Sequence, residues 1–193
     1  HAVTIAYGLG SPPVAYEPSI EFLRADYSTE APWQPNYSGS TSFDEAMQRR
    51  IVADCDAAAS NKNLVADGEV YCVLNALRDW EPSSFPHATA TLLHDALLRF
   101  YDSSAFAELL ADHRDYSQRT GFVSSTDGEE GGKVVGLFHA FNSTIPQTVR
   151  PTPGQTGPWF DRWEGFAATR CHDIGCVQTL SLWGFYDVLS SLF

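Results

Sequence analysis

Three stretches near the C-terminal end decide the fold: Lys133-Val-Val-Gly-Leu-Phe-His-Ala-Phe141, Gly157-Pro-Trp-Phe-Asp-Arg-Trp-Glu-Gly-Phe166 and Val177-Gln-Thr-Leu-Ser-Leu-Trp-Gly-Phe-Tyr186. The first and third are rich in β-branched and aromatic side chains, which suit the half-buried face of a pleated strand. The second spaces Trp159, Phe160, Trp163 and Phe166 as one face of a helix behind Pro158, whose fixed φ suits a first helical turn. Strand, helix, strand is the pattern. The chain opens the same way, with strand-like His1-Ala-Val-Thr-Ile-Ala-Tyr7 and a helix over 43–59. Two such halves predict an α/β (α+β) fold built on a ferredoxin-like split βαβ sheet with helices on one face.

Working outward, Ser42 is the expected N-cap of the first helix, with Glu45 completing a capping box. Its apolar stripe is Phe43, Met47, Ile51, Val52 and Cys55. A second helix is expected over 70–80, ended by Pro82 and Pro86. A third, over 86–101, should turn Leu92, Leu93, Ala96, Leu97 and Phe100 inward, and a fourth should span 104–114. Together they predict a helical insert over 64–119 within one extracytosolic domain covering 1–193. The Gly-rich turn 126–132 should join the strand 133–142 to a hairpin partner at 121–125. Residues 11–42, with five prolines, read as a loop.

With 44% hydrophobic and 13% aromatic residues the chain can build a real core. A formal charge of −12 argues against a nucleic-acid partner and against docking on an anionic bilayer, because both need clustered Lys and Arg. No run approaches the roughly 18–20 apolar residues that a spanning helix needs. With no initiator Met and no leader-like segment, the chain is expected to be a processed secreted protein or a piece of a larger one.

Four cysteines allow three disulfide pairings. The expected one is Cys55–Cys72 with Cys171–Cys176, each closing a short loop. Zinc is the competing use of four cysteines, but the sequence holds no C-x-x-C pair, so no metal or other cofactor is expected. The sequons at Asn36 and Asn142 point the same way as paired cysteines, to an oxidising compartment outside the cytosol.

Chemistry-bearing residues are few. An N-terminal His1 could chelate copper through its amine and ring, with His87, His94, His113, His139 or His172 as a partner. The copper enzymes built that way are β-sandwiches, whereas this chain is rich in helices. His94-Asp95 and His113-Arg-Asp115 could form metal or acid–base pairs, yet His94 lies on an apolar helix stripe and His113 in an acidic surface run. The chain has no G-x-S-x-G elbow and no H-E-x-x-H, and its Gly128–Gly132 loop lacks the Lys of a phosphate cradle. No catalytic residue is assigned. Trp159, Phe160, Trp163 and Phe166 supply more aromatic surface than one sheet face needs, which marks them as a candidate lipid or partner surface.

Read in order, these features resemble the extracytosolic, porter-type domain of the eukaryotic resistance-nodulation-division transporters: Dispatched, Patched and the Niemann–Pick C1 protein. The resemblance is carried by the strand Val3-Thr-Ile-Ala-Tyr-Gly8 and by Phe43-Asp-Glu-Ala-Met-Gln48 leading to Cys55. It continues through Tyr71-Cys-Val-Leu-Asn-Ala-Leu-Arg-Asp-Trp80, Phe85-Pro86, Thr120-Gly-Phe122, Phe138-His-Ala-Phe-Asn142 and the closing Phe185-Tyr186. It implies part of a passage or docking surface for sterol, lipid or lipid-modified cargo. The implied partners are a second ectodomain and membrane helices of the same protein. The 11–42 loop departs from the family pattern, and the intramembrane acidic residues of the family lie outside this chain. The alternative is a secreted, disulfide-bonded enzyme with copper at His1.

Overall fold

The computed structural model describes residues 2–8, 41–114, 116–125, 132–144, 153–171 and 177–179. In chain order the elements are β1 (Ala2–Tyr7), α1 (Glu45–Ser60), β2 (Val65–Tyr71), α2 (Val73–Trp80), α3 (Ala90–Tyr101) and α4 (Ser104–Asp112). They continue with α5 (Tyr116–Arg119), β3 (Gly121–Ser125), β4 (Lys133–Ser143), α6 (Pro153–Cys171) and β5 (Val177–Thr179). This is an α+β chain with a small, open antiparallel sheet.

The sheet runs β2-β4-β1-β5, with β3 also on β4, and every pairing is antiparallel. β1 holds one edge of β4 from Leu137 to Asn142. The other edge is divided: β3 pairs with Lys133 to Phe138, and β2 takes over from Ala140 to Ser143. Since β1 and β2 both oppose β4, they run parallel to each other with β4 between them. By the same logic β4 and β5 run parallel with β1 between them.

Central position explains β4's sequence. It is buried at successive residues, Val134 to Leu137 and His139 to Phe141, so both of its faces are covered, not one. On one face the register sets Ile5 beside His139 and Tyr7 beside Leu137. Against the sheet lie Ile51 and Cys55 from α1, Leu74 and Leu77 from α2, Leu93, Leu97 and Phe100 from α3, and Trp163 from α6, all at most 2% exposed. Each such side chain contributes about 1.5–3 kcal/mol by leaving water.

Several boundaries differ from expectation. Asp44, not Ser42, caps α1: its extended backbone lets the carboxylate accept from Met47 N–H at 3.0 Å, while Glu45 pairs with Arg49 instead. Phe43 is driven fully into the core, so the cap falls one residue after it. The expected helix over 70–80 is two elements. Val70 and Tyr71 pair with Phe141 and Ala140 as strand, and α2 begins only after Cys72, where Thr120 Oγ1 accepts from Val73 N–H at 3.1 Å. The segment 64–119 is therefore not wholly helical, because its first part is a sheet strand.

Further along, α3 starts at Ala90 under a Thr89 cap, after a cis Phe85–Pro86 bond. Leu92, expected inward, is 51% exposed, because the α3 stripe centres on Leu93, Ala96, Leu97 and Phe100. α4 stops at Asp112. α6 starts at Pro153, so Pro153 takes the first-turn role expected of Pro158, which lies inside the helix. The closing strand is described only over Val177–Thr179, and the rest of 177–186 lies outside the described residues. Among the described residues no helix is long and apolar enough to cross a membrane.

Candidate functional site

The densest chemistry lies where β4, α1 and the β2–α2 junction meet. β4's alternation turns His139 toward the core between Leu137 and Phe141, and its residue is completely buried. Cys55, on the inner face of α1, forms a disulfide with Cys72, the N-cap residue of α2, with Cα atoms 6.5 Å apart. A ring nitrogen of His139 and the two sulfurs all lie within 4.8 Å of one another. The Tyr7 ring sits 5.6 Å from the imidazole, centroid to centroid.

Thr120, between α5 and β3, fixes the proton on that ring. Its hydroxyl donates to Phe138 C=O at 2.9 Å and accepts from Val73 N–H at 3.1 Å. Having given up its one proton, Oγ1 can only accept from His139 Nδ1, 3.2 Å away. The hydrogen-bond network thus assigns the Nδ1–H tautomer and leaves a lone pair on Nε2. Nε2 is buried and has no hydrogen-bond partner. Burial also pushes the imidazole down to about 3, so the ring is neutral across the physiological range. Tyr116 closes the junction from the other side, its phenol donating to Cys72 C=O at 3.0 Å.

A second polar cluster ties α6 to α1. Arg170 donates to Asp54 Oδ1 at 3.0 Å, and Arg50 donates to the Arg170 carbonyl at 3.0 Å. Asp54 is nearly inaccessible, and its Oδ2 has no hydrogen-bond partner. Burial raises its pKa above the usual carboxylate range, with the Arg170 hydrogen bond and charge working against that shift. Tyr7 is pushed far above an ordinary phenol by the same burial and by the Asp54 charge. Trp163 completes the α6 attachment: it is fully buried, donates Nε1–H to Ser143 Oγ at 3.1 Å and packs 5.6 Å from Phe141.

The residues singled out in the sequence fall in different places. Cys55–Cys72 is bonded as expected, whereas the Cys171–Cys176 pairing, His1, His172 and Asn36 lie outside the described residues or side chains. Asn142 sits half-buried near the end of β4, its amide oxygen accepting from Arg119. Of the aromatic quartet, Trp163 is core and is removed from any exposed surface. Trp159 is half-buried under Arg162, Phe166 packs on Trp163, and the Phe160 side chain is not among those described.

His94 Nδ1 lies 3.4 Å from Asp95 Oδ1, and its ring is packed edge-on to Phe122 at 5.7 Å and so close to Gly132 that a Cβ there would lie 2.7 Å from it. His87's backbone is locked to Gln48, which accepts from its N–H and donates to its carbonyl. His113 caps α4 at the surface. Thr120 entered the sequence reading only within Thr120-Gly-Phe122, with no chemical role, and nothing in the sequence pointed to Asp54 or Arg170. His139 carried a hint: it lies inside the apolar run Val134 to Phe141, which reads as a strand covered on both faces.

No protein-family model matches this chain, and no curated protein and no solved structure matches it either.

Proposed function

We propose that this chain is the extracytosolic domain of a membrane transporter of the Dispatched and Patched kind, built on a ferredoxin-like split βαβ layer. The observation that carries the reading is the sheet order β2-β4-β1-β5, all antiparallel, with α1 and α6 as the two crossovers and α2–α5 inserted between β2 and β4. A split βαβ layer interleaves its two strand–helix–strand units in that way. The Cys55–Cys72 disulfide is consistent with an extracellular or lumenal location. The proposed role is mechanical: the domain forms part of a passage or docking surface for sterol, lipid or lipid-modified cargo. A second ectodomain and the membrane helices of the same protein are its partners. Ion flow through those helices supplies the driving force.

The test is the flanking coding sequence together with a sterol photocrosslinking assay on the full-length protein. Apolar segments of roughly twenty residues on both sides, with crosslinks mapping to this domain, are the expected result. A signal peptide ending just before His1, a stop codon after Phe193 and copper-dependent oxidation by the purified chain would overturn it in favour of a secreted enzyme.

A further inference from the structure

The His139 centre contains a donor set that its disulfide does not use. We propose that, once the Cys55–Cys72 bond is reduced, the two sulfurs and His139 bind one zinc ion, so that disulfide and metal are alternative occupants of the same buried site. Three protein ligands of thiolate and imidazole type, with a fourth position left to water, suit tetrahedral zinc. Zn–S bonds near 2.3 Å and Zn–N bonds near 2.0 Å place tetrahedral ligand atoms about 3.5–3.8 Å apart. One ring nitrogen of His139 and the two sulfurs already lie within 4.8 Å of one another, and the Cα atoms of the cysteines stand 6.5 Å apart.

Two further observations favour a metal. His139 Nε2 is an unpartnered lone pair in a fully buried side chain, an expensive arrangement unless something can use it. Its other nitrogen is oriented by Thr120 Oγ1, the kind of outer hydrogen bond that aims metal-binding histidines and fixes their tautomer. Charge balance selects the ion: two thiolates and a neutral imidazole around Zn²⁺ make a centre of zero net charge, which limits the penalty of burying it.

The chemistry balances with a dithiol as reductant. It gives two electrons and two protons to the disulfide, the S–S bond breaks to two thiols, and the dithiol becomes its own disulfide. Zinc then displaces the two thiol protons into solvent, forms two Zn–S bonds and one Zn–N bond, and keeps one water. Each element contributes a single ligand: α1 Cys55, the α2 cap Cys72, and β4 His139.

The test uses the full chain, with Cys171→Ser and Cys176→Ser so that only Cys55 and Cys72 respond. The chain is reduced with a phosphine, titrated with Co²⁺ and then with Zn²⁺, and followed by thiolate-to-cobalt charge-transfer absorption and circular dichroism. The expected result is one equivalent bound by the reduced chain and none by the oxidised chain. His139→Ala should abolish the charge-transfer band of the folded site, and Thr120→Val should weaken affinity about 10–100-fold. If reduction loosens the fold, zinc should restore the helical signal, and His139→Ala should prevent that recovery. No binding by the reduced chain, no recovery of a loosened fold, or equal affinity in His139→Ala each overturns the proposal.

Discussion

Replacing His139 with Leu is expected to leave the domain about as stable at pH 7 and to remove the part of its acid sensitivity that His139 carries. The magnitude follows from the contacts. The change relieves a buried, unpartnered Nε2, which costs about 1–3 kcal/mol where it stands. It forfeits the Nδ1–H bond to Thr120, worth about 1 kcal/mol, but Thr120 keeps Val73 N–H and Phe138 C=O and is not orphaned. The tilted contact with Tyr7 is lost as well, at about 0.5–1 kcal/mol. The balance runs from about 1 kcal/mol against Leu to about 1.5 kcal/mol in its favour, centred near zero.

Acid dependence separates the two chains further. Burial holds native His139 at about 3, against 6.5 for an ordinary imidazole. Because the native value is depressed, the unfolded state takes up the proton first. Stability is therefore intact above about 6.5 and falls with pH until both states are protonated near 3. At about 1.4 kcal/mol per unit, the wild type should lose roughly 2 kcal/mol more than His139→Leu between pH 7 and pH 5. Urea unfolding at the two pH values, followed by tryptophan fluorescence, measures the difference. Equal losses in both chains, or a variant weaker by 2 kcal/mol or more at pH 7 with an unchanged m value, would refute the reasoning.

Three other perturbations test the packing. Changing Cys55 and Cys72 together to Ala removes a cross-link between residues 17 apart, worth about 3 kcal/mol, and should lower Tm by about 6–12 °C in a thermal melt; a drop below ~3 °C would contradict this. Gly8→Ala should destabilise by about 2 kcal/mol or more, since Gly8 has φ +88° and a Cβ would strike Val135 C=O and the Phe43 ring. Gly165→Ala, where a Cβ meets nothing within 4 Å on the exposed side of α6, should instead add about 0.5–1 kcal/mol, so chemical denaturation of the pair must move in opposite directions. Arg170→Gln strands the buried Asp54 carboxylate and should cost about 2 kcal/mol, a figure reduced because Arg170 is 40% exposed, whereas Asp54→Asn, which removes the buried charge itself, should change stability by less than about 1 kcal/mol. Equal losses in those two variants at pH 7 would show that the buried charge is not what the bridge compensates.

Local pattern carried the elements, and distance in sequence hid the site. The β-branched and aromatic run of Lys133–Ser143, the stripe of α1 and the aromatic spacing of α6 are each local, so composition and side-chain period within a short window reveal the element. The bonded cysteines were found for a similar reason, because their separation in the chain is small. β2 was missed because Val70-Tyr71 runs straight into the apolar stripe of α2, and a short apolar run suits strand or helix equally. Only its partners, Phe141 and Ala140, settle it as strand. The same holds for the chemistry. Thr120 meets His139 from 19 residues away and Arg170 meets Asp54 from 116, contacts that no periodicity encodes. A residue's burial follows from its own strand or helix, whereas its hydrogen-bond partner is chosen by how distant elements dock, and docking is a property of the folded chain alone.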